Sequence, residues 1–366
     1  MPDALAWLTI DLGAVAANWQ SLRNRLRSNQ CAAVVKADAY GLGLEKIGPA
    51  LYAAGCRLFF VAHLQEALSL RHLLPSAEIA VLSGLGPNEA PEFTDQQIFP
   101  VLNDIEQINA WNRHCLNSEA RFPAILHVDT GMNRLGLLPG EALALQRNPS
   151  SLHNIKLRAL ISHLACADEA DHPLNLQQLE TFSAVRTHFP DIPASLAASS
   201  GLFLDEKYHF DFGRPGAAIY GLNPTPGKAN PQRPTLRLEA RILQVRRVDR
   251  PMTVGYGAAY SVRGPTSVAT IGVGYADGYL RSLSNRGEVT ISGIPVPIIG
   301  RVSMDLITLD VTKLPESLAQ PGQTVCLIGD ELTPDGVAQT AETIGYEILT
   351  SLGHRYIRRY LEPNVG

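Results

Sequence analysis

The stretch Cys31-Ala32-Ala33-Val34-Val35-Lys36-Ala37-Asp38-Ala39-Tyr40-Gly41-Leu42-Gly43 decides how the chain is read. Its first half is an apolar run that ends on a lysine, and its second half carries the glycines that break a strand and open a turn. A short buried strand, a turn and a helical pattern in that order begin a βα unit. Comparable runs follow at residues 58–62, 79–82, 98–102, 125–129, 157–162 and 194–198, with a weaker one before Arg214, which makes about eight candidate strands. Helical patterns separate several of them. The one over 64–74 has Glu66 near its start and Arg71 and His72 near its end, as a helix dipole favours. The expectation is an α/β fold, a (β/α)8 TIM-like barrel over residues 11–230.

Past Pro231 and Pro234 the texture changes to period-2 alternation, as in Leu236-Arg237-Leu238-Glu239-Ala240-Arg241-Ile242, with Gly and Pro between later runs such as Val289-Thr290-Ile291-Ser292-Gly293. A second, mostly antiparallel β domain is expected over 231–366. Residues 1–10 are expected to join it as an extra strand, since no barrel unit claims Ala6-Trp7-Leu8-Thr9-Ile10.

Composition narrows the function. With 366 residues, 45% hydrophobic and 18% charged, the chain can bury a large core without disulfides. A net charge of -4 gives no footprint for nucleic acid or an anionic membrane surface, and no apolar run approaches a membrane span. Five cysteines with no CxxC spacing read as reduced thiols. The start Met1-Pro2-Asp3-Ala4 lacks a basic segment, so no signal peptide and a cytoplasmic location are expected.

Lysine is scarce: Lys36, Lys46, Lys156, Lys207, Lys228 and Lys313 are all there are. Lys36 alone ends a barrel strand, where barrel active sites are built. An amine partly desolvated there has a lowered pKa and can form a Schiff base; a lysine that merely reaches to water is the alternative. Gly41-Leu42-Gly43 lacks the third glycine of a dinucleotide fingerprint.

Lys36-Ala37-Asp38-Ala39-Tyr40-Gly41-x-Gly43 resembles the cofactor-lysine signature of the alanine racemases, fold-type III pyridoxal-phosphate enzymes. The resemblance recurs in order along nearly the whole chain. It takes in Asp129-Thr130-Gly131-Met132-Asn133-Arg134-Leu135-Gly136, Ser162-His163 and Arg214-Pro215-Gly216-Ala217-Ala218-Ile219-Tyr220-Gly221. In the β domain it continues through Val254-Gly255-Tyr256-Gly257-Ala258-Ala259-Tyr260, Gly274-Tyr275-Ala276-Asp277-Gly278-Tyr279, Gly300-Arg301-Val302-Ser303-Met304-Asp305 and Arg355-x-x-Arg358-x-Tyr360.

The resemblance implies an amino-acid racemase that interconverts L- and D-alanine with pyridoxal 5′-phosphate as cofactor, for peptidoglycan synthesis or alanine catabolism. It implies a homodimer with composite active sites. Lys36 would carry the cofactor and act as one base; Tyr256, from the β domain of the other subunit, would be the second. An ordinary phenol has a pKa of about 10, so Tyr256 needs a neighbouring charge or donor, which the family supplies through His163. Arg214 is implied at the pyridine nitrogen, where a guanidinium only donates and so weakens the electron sink. Ser200, the amides of Gly216 and Ala217, and the hydroxyls of Tyr40 and Tyr360 are implied at the phosphate. Arg134 and the Met304 N–H are implied at the substrate carboxylate. No metal is expected: His163, Asp168, Asp171 and His172 lack a ligand spacing.

Three positions depart from the family pattern. His127 stands where many members have a lysine whose carbamate pairs with the arginine at 134, so a small anion or a water-mediated contact from His127 is expected to hold Arg134. Leu42 replaces a usual histidine and Ser199 a usual asparagine. A broader amino-acid racemase or a decarboxylase of the same fold is one alternative, and a non-catalytic pyridoxal-phosphate carrier another. Known carriers are a lone barrel, which the β domain argues against.

Overall fold

The computed structural model describes residues 4–28 and 30–362 and divides into two compact units. One is the barrel, residues 15–39 and 43–233. The other gathers the amino-terminal residues up to Ala14, the short segment Tyr40–Leu42 and the chain from Pro234 onward. Strand β1 (Ala6–Asp11) lies in the second unit.

The barrel unit starts with β2 (Ala33–Val34) and continues through β3 (Leu58–Val61), β4 (Glu78–Val81), β5 (Ile98–Leu102), β6 (Phe122–His127), β7 (Ile155–Ile161) and β8 (Ala194–Ser195). All seven are parallel and follow one another in sequence order, as βα connections require. The expected eighth strand is not regular. Its place is taken by residues 211–215, which bond to both ends of the sheet. Ala32 N donates to Gly213 O (2.9 Å) and Val34 N to Pro215 O (2.9 Å); on the other side Asp211 N donates to Ala194 O (2.9 Å) and Arg214 N to Ala197 O (3.0 Å). Pro215 has no N–H to give and Gly213 no side chain to pack, so the closure is a bridged segment and not a ladder. Inside, Phe60, Val101 and Ile125 alternate with the small Ala32, Ala80 and Ala159, all within 2% of full burial, so large and small side chains interleave.

The first strand is shorter than expected. Val35 N still donates to Phe60 O (2.9 Å), but Ala37, Asp38, Ala39 and Tyr40 then take φ of 52°, 53°, 54° and 57°. Four successive non-glycine residues in the left-handed region cost about 1 kcal/mol or more each, so other contacts must hold them. Lys36 therefore opens a left-handed turn; it does not end a strand.

In the second unit β9 (Leu236–Val248) is the long central strand. It pairs antiparallel with β1, with Thr266–Ile271 and with Thr324–Ile328, and β1 pairs in parallel with Ile357–Leu361. The hairpin joining Glu288–Ile291 to Ile294–Pro297 turns on Ser292-Gly293, both at positive φ (51° and 79°), as a two-residue turn requires. Segment Tyr40–Leu42 is bound to this unit: Arg358 Nη1 donates to Gly41 O (2.7 Å) and Tyr360 Oη to Leu42 O (3.1 Å). Gly41 has φ of 79°, and a Cβ there would collide with the Leu349 carbonyl, so no other residue fits.

Candidate active site

The carboxyl ends of the barrel strands carry Lys36, His127, Arg134, His163 and Arg214. Arg214 is 4% exposed; its Nη1 donates to Ser195 O (2.9 Å) and its Nη2 to Ser162 O. Burial brings its pKa down to about 9, which leaves it charged at neutral pH. His163 is driven down to about 3 by burial first and then by the charges of Arg214, Arg134 and Lys36; His127 falls to about 4 through burial and Arg214. Both imidazoles are neutral. Burial, then Arg134, lowers the pKa of Lys36 as well, opposed by Glu66. Among the described residues none of Lys36, Arg134 and Arg214 has a carboxylate within ion-pair distance.

Polar side chains fix the loops that present these groups. Asp129 Oδ1 accepts from Gly131 N (2.8 Å) and Met132 N (2.9 Å) and so bends the loop that bears Arg134. Gln178, on the helix Pro173–Arg186, donates to His163 O (2.9 Å) and Thr130 Oγ1 (3.2 Å) and accepts from Ala165 N (2.8 Å). Ser199 Oγ accepts from Gly216 N (3.0 Å) and Ala218 N (3.1 Å). The Gly216 amide is thus already used, while the Ala217 N–H makes no hydrogen bond among the described residues. Ser200 begins the short 3-10 turn Ser200–Phe203.

Asn103, whose Oδ1 lies 2.7 Å from His127 Nδ1, and Gln178 are not marked in the sequence, because a lone amide on a helix or at a strand end carries no signal. Ser199 was visible only as a departure from asparagine. Arg134 is exposed, with no hydrogen bond among the described residues. His172 caps its helix, accepting from Leu174 N (3.2 Å), and among the described residues no three His, Cys, Asp or Glu side chains gather as metal ligands do. A cavity of about 260 Å³, lined by Trp19, Arg23, Glu78 and Arg158, opens at the amino-terminal ends of the strands, away from Lys36.

The β unit supplies the other expected residues. Tyr256 is 73% exposed on a 3-10 turn between Gly255 and Gly257, whose φ are 78° and 69°. That turn lies against Gly300 and Arg301. Met304 is exposed; its carbonyl accepts from Ala276 N (3.0 Å), and among the described residues its own N–H makes no hydrogen bond. Three distant motifs meet at Arg355, which binds Asp277 (3.1 Å) and Asp305 (2.8 Å). Tyr40 is buried 6.0 Å from the ring of Tyr346, and burial pushes its phenol pKa up.

A parallel barrel with a cationic mouth, on a chain that also carries an antiparallel β unit, is the architecture of the barrel-type pyridoxal-phosphate enzymes. Family models described as "Alanine racemase, N-terminal domain" and "Alanine racemase, C-terminal domain" match residues 10–224 and 235–360. An alanine racemase of Rhodospirillum rubrum is 51% identical over 359 residues, 98% of this chain and 96% of its own. A catabolic alanine racemase of Agrobacterium fabrum is 46% identical over 360 residues, covering 98% of this chain and 93% of its own. The crystal structure of alanine racemase from Bartonella henselae with covalently bound pyridoxal phosphate matches with a TM-score of 0.94 at 42% identity, over 98% of this chain and 100% of that one. The chain belongs to the alanine racemase family.

The residues present fit the cofactor. A buried guanidinium with no carboxylate partner, beside a lysine and a second unpaired arginine, makes a mouth that favours a multiply charged anion. A phosphate and an aldehyde reactive toward a lowered-pKa amine are the chemistry this donor set accepts. Among the described residues no helix is long and apolar enough to cross a membrane.

Proposed function

We propose that the protein interconverts L- and D-alanine, with Lys36 Nζ and Tyr256 Oη as the two bases on opposite faces of the substrate Cα. Pyridoxal phosphate, when bound, supplies the electron sink that makes removal of the Cα proton possible. Lys36 would hold the cofactor, and its Nζ, as a free amine, would accept or return the Cα proton on one face. Burial, with Arg134, moves its pKa down, in the direction that favours the free amine a base must be. Tyr256 Oη would serve the other face with His163 orienting it, and Arg214, which donates only, would hold the ring nitrogen of the cofactor. Ser200, the Ala217 amide and Tyr40 would hold the phosphate, joined by the Gly216 amide and the Tyr360 hydroxyl once these leave Ser199 Oγ and Leu42 O. Arg134 and the Met304 N–H hold the substrate carboxylate.

In this reading Tyr256 and Met304 come from a second copy of the chain, so the protein is a homodimer with composite sites. Their exposure at loops of the β unit supports it. The D-alanine formed would serve peptidoglycan synthesis or alanine breakdown, in the cytoplasm.

The observation that carries the reading is Lys36 at the barrel mouth, lowered in pKa and set with Arg134 and Arg214, none of the three ion-paired to a carboxylate among the described residues. Lys36→Ala is expected to lose the visible absorption of a lysine-bound cofactor and to slow racemisation at least about a thousandfold. Persistence of that absorption on another lysine would overturn the assignment.

A further inference from the structure

We propose that Glu66 is a positioning residue that aims Lys36 by clamping the peptide that follows it. The proposal rests on the reading of Lys36 as the reaction's amine. Glu66 Oε1 accepts from Ala37 N at 2.6 Å, and this N–H belongs to the peptide plane joining Lys36 to Ala37. Glu66 Oε2 accepts from Ala62 N (2.7 Å) and His63 N (3.3 Å) at the next barrel strand's exit. One carboxylate thus ties two consecutive strand ends together.

The clamp is needed because the left-handed turn beginning at Lys36 is intrinsically disfavoured. Three further anchors are local: Ala39 N donates to Val35 O (3.0 Å), Gly43 N to Asp38 O (2.9 Å) and Leu44 N to Asp38 Oδ1 (2.7 Å). Glu66 brings the only anchor from another βα unit that the described hydrogen bonds give to residues 36–39. Rotation of that peptide plane would swing the Lys36 Cα–Cβ bond, and a displacement of about 1 Å at the far end of the side chain costs up to about a hundredfold in rate. The same carboxylate favours the protonated form of Lys36, against burial and Arg134.

The competing role is an ordinary helix cap, since Glu66 is the third residue of the helix Leu64–Leu73. The barrel holds its own control. Glu141 occupies the same position in the helix Pro139–Arg147 and accepts from Leu138 N (2.8 Å), with no bond to the Lys36 turn.

The test compares Glu66→Ala and Glu141→Ala in the protein as purified with its cofactor, by alanine kinetics and by hydrogen exchange at the Ala37 amide. For Glu66→Ala, kcat is expected to fall about tenfold to a hundredfold with KM within about twofold, and Ala37 exchange to speed up at least about tenfold. Glu141→Ala should lower the melting temperature and change neither. Should Glu66→Ala not fold, Glu66→Gln, which keeps one acceptor oxygen, is expected to give an intermediate exchange rate and kcat. Unchanged Ala37 exchange, unchanged kcat, or an equal loss of kcat in Glu141→Ala overturns the proposal. Retention of the lysine-bound absorption by Lys36→Ala would sink the reading of Lys36 instead, and Ala37 exchange would still judge the clamp.

Discussion

Nδ1 of His127 lies 2.7 Å from Oδ1 of Asn103. The Asn103 amide nitrogen donates to two carbonyls, Leu82 O (3.1 Å) and Val101 O (2.9 Å), so its oxygen must be the acceptor and His127 Nδ1 must carry the proton. Burial and Arg214 keep the ring neutral, so with the proton fixed on Nδ1 its Nε2 is an acceptor. It cannot stand in for a carbamate as a negative charge beside Arg134. Asn103→Ala is expected to cost about 1–3 kcal/mol in urea unfolding, because buried groups on three partners lose their bonds. A cost below about 0.5 kcal/mol would show that the network is not needed.

Tyr256→Phe removes only the phenolic oxygen from an exposed side chain, so the fold should be unaffected. Racemisation is expected to fall about a hundredfold or more. In deuterated water, exchange at Cα should persist for one enantiomer, served by Lys36, and vanish for the other. Equal exchange in both would exclude a two-base arrangement.

Ala37 has φ of 52°, which glycine adopts freely and proline cannot. Ala37→Gly should be neutral to stabilising by up to about 1 kcal/mol in thermal unfolding. Ala37→Pro should abolish cofactor retention, since it forbids that φ and removes the N–H bound by Glu66.

Acid should destabilise the fold through His163 and His127, whose pKa values are depressed to about 3 and about 4 from an ordinary value near 6.5. Between those values the unfolded chain binds more protons than the folded one, so stability rises with pH. It is complete above about pH 6.5 and is lost as pH falls toward 4 and then 3, by on the order of a few kcal/mol. Urea midpoints at pH 7.5 and pH 5 test this. His127→Asn should flatten part of the slope, and a pH-independent midpoint would contradict the burial of both rings as neutral groups.

Much of the barrel is legible because strands buried on both faces are written as apolar runs: 98–102 matches the observed strand, 58–62 runs one residue too far, and 79–82 is shifted by one residue at both ends. The closing segment 211–215 was not legible as it stands. Whether Gly213 and Pro215 make a ladder depends on Ala32 and Val34, at the far end of the barrel sequence, and no local pattern encodes that. Likewise the expected strand 31–36 stopped early, since the left-handed turn after Val35 contradicts the propensity of Ala-Asp-Ala and is held by Glu66 from another unit of the barrel.

The sequence by itself determined the family, the fold class and the chemical identity of the residues offered for catalysis, because motifs and hydrophobic period are properties of the chain order. Only the tertiary structure decided their protonation and their supports. Burial sets the charge state of Arg214, burial and the neighbouring cations keep His163 neutral, and Asn103, Gln178, Ser199 and Glu66 gain their roles from donors and acceptors brought together by folding. Desolvation and hydrogen-bond geometry depend on distance in space, which the order of residues along a chain does not contain.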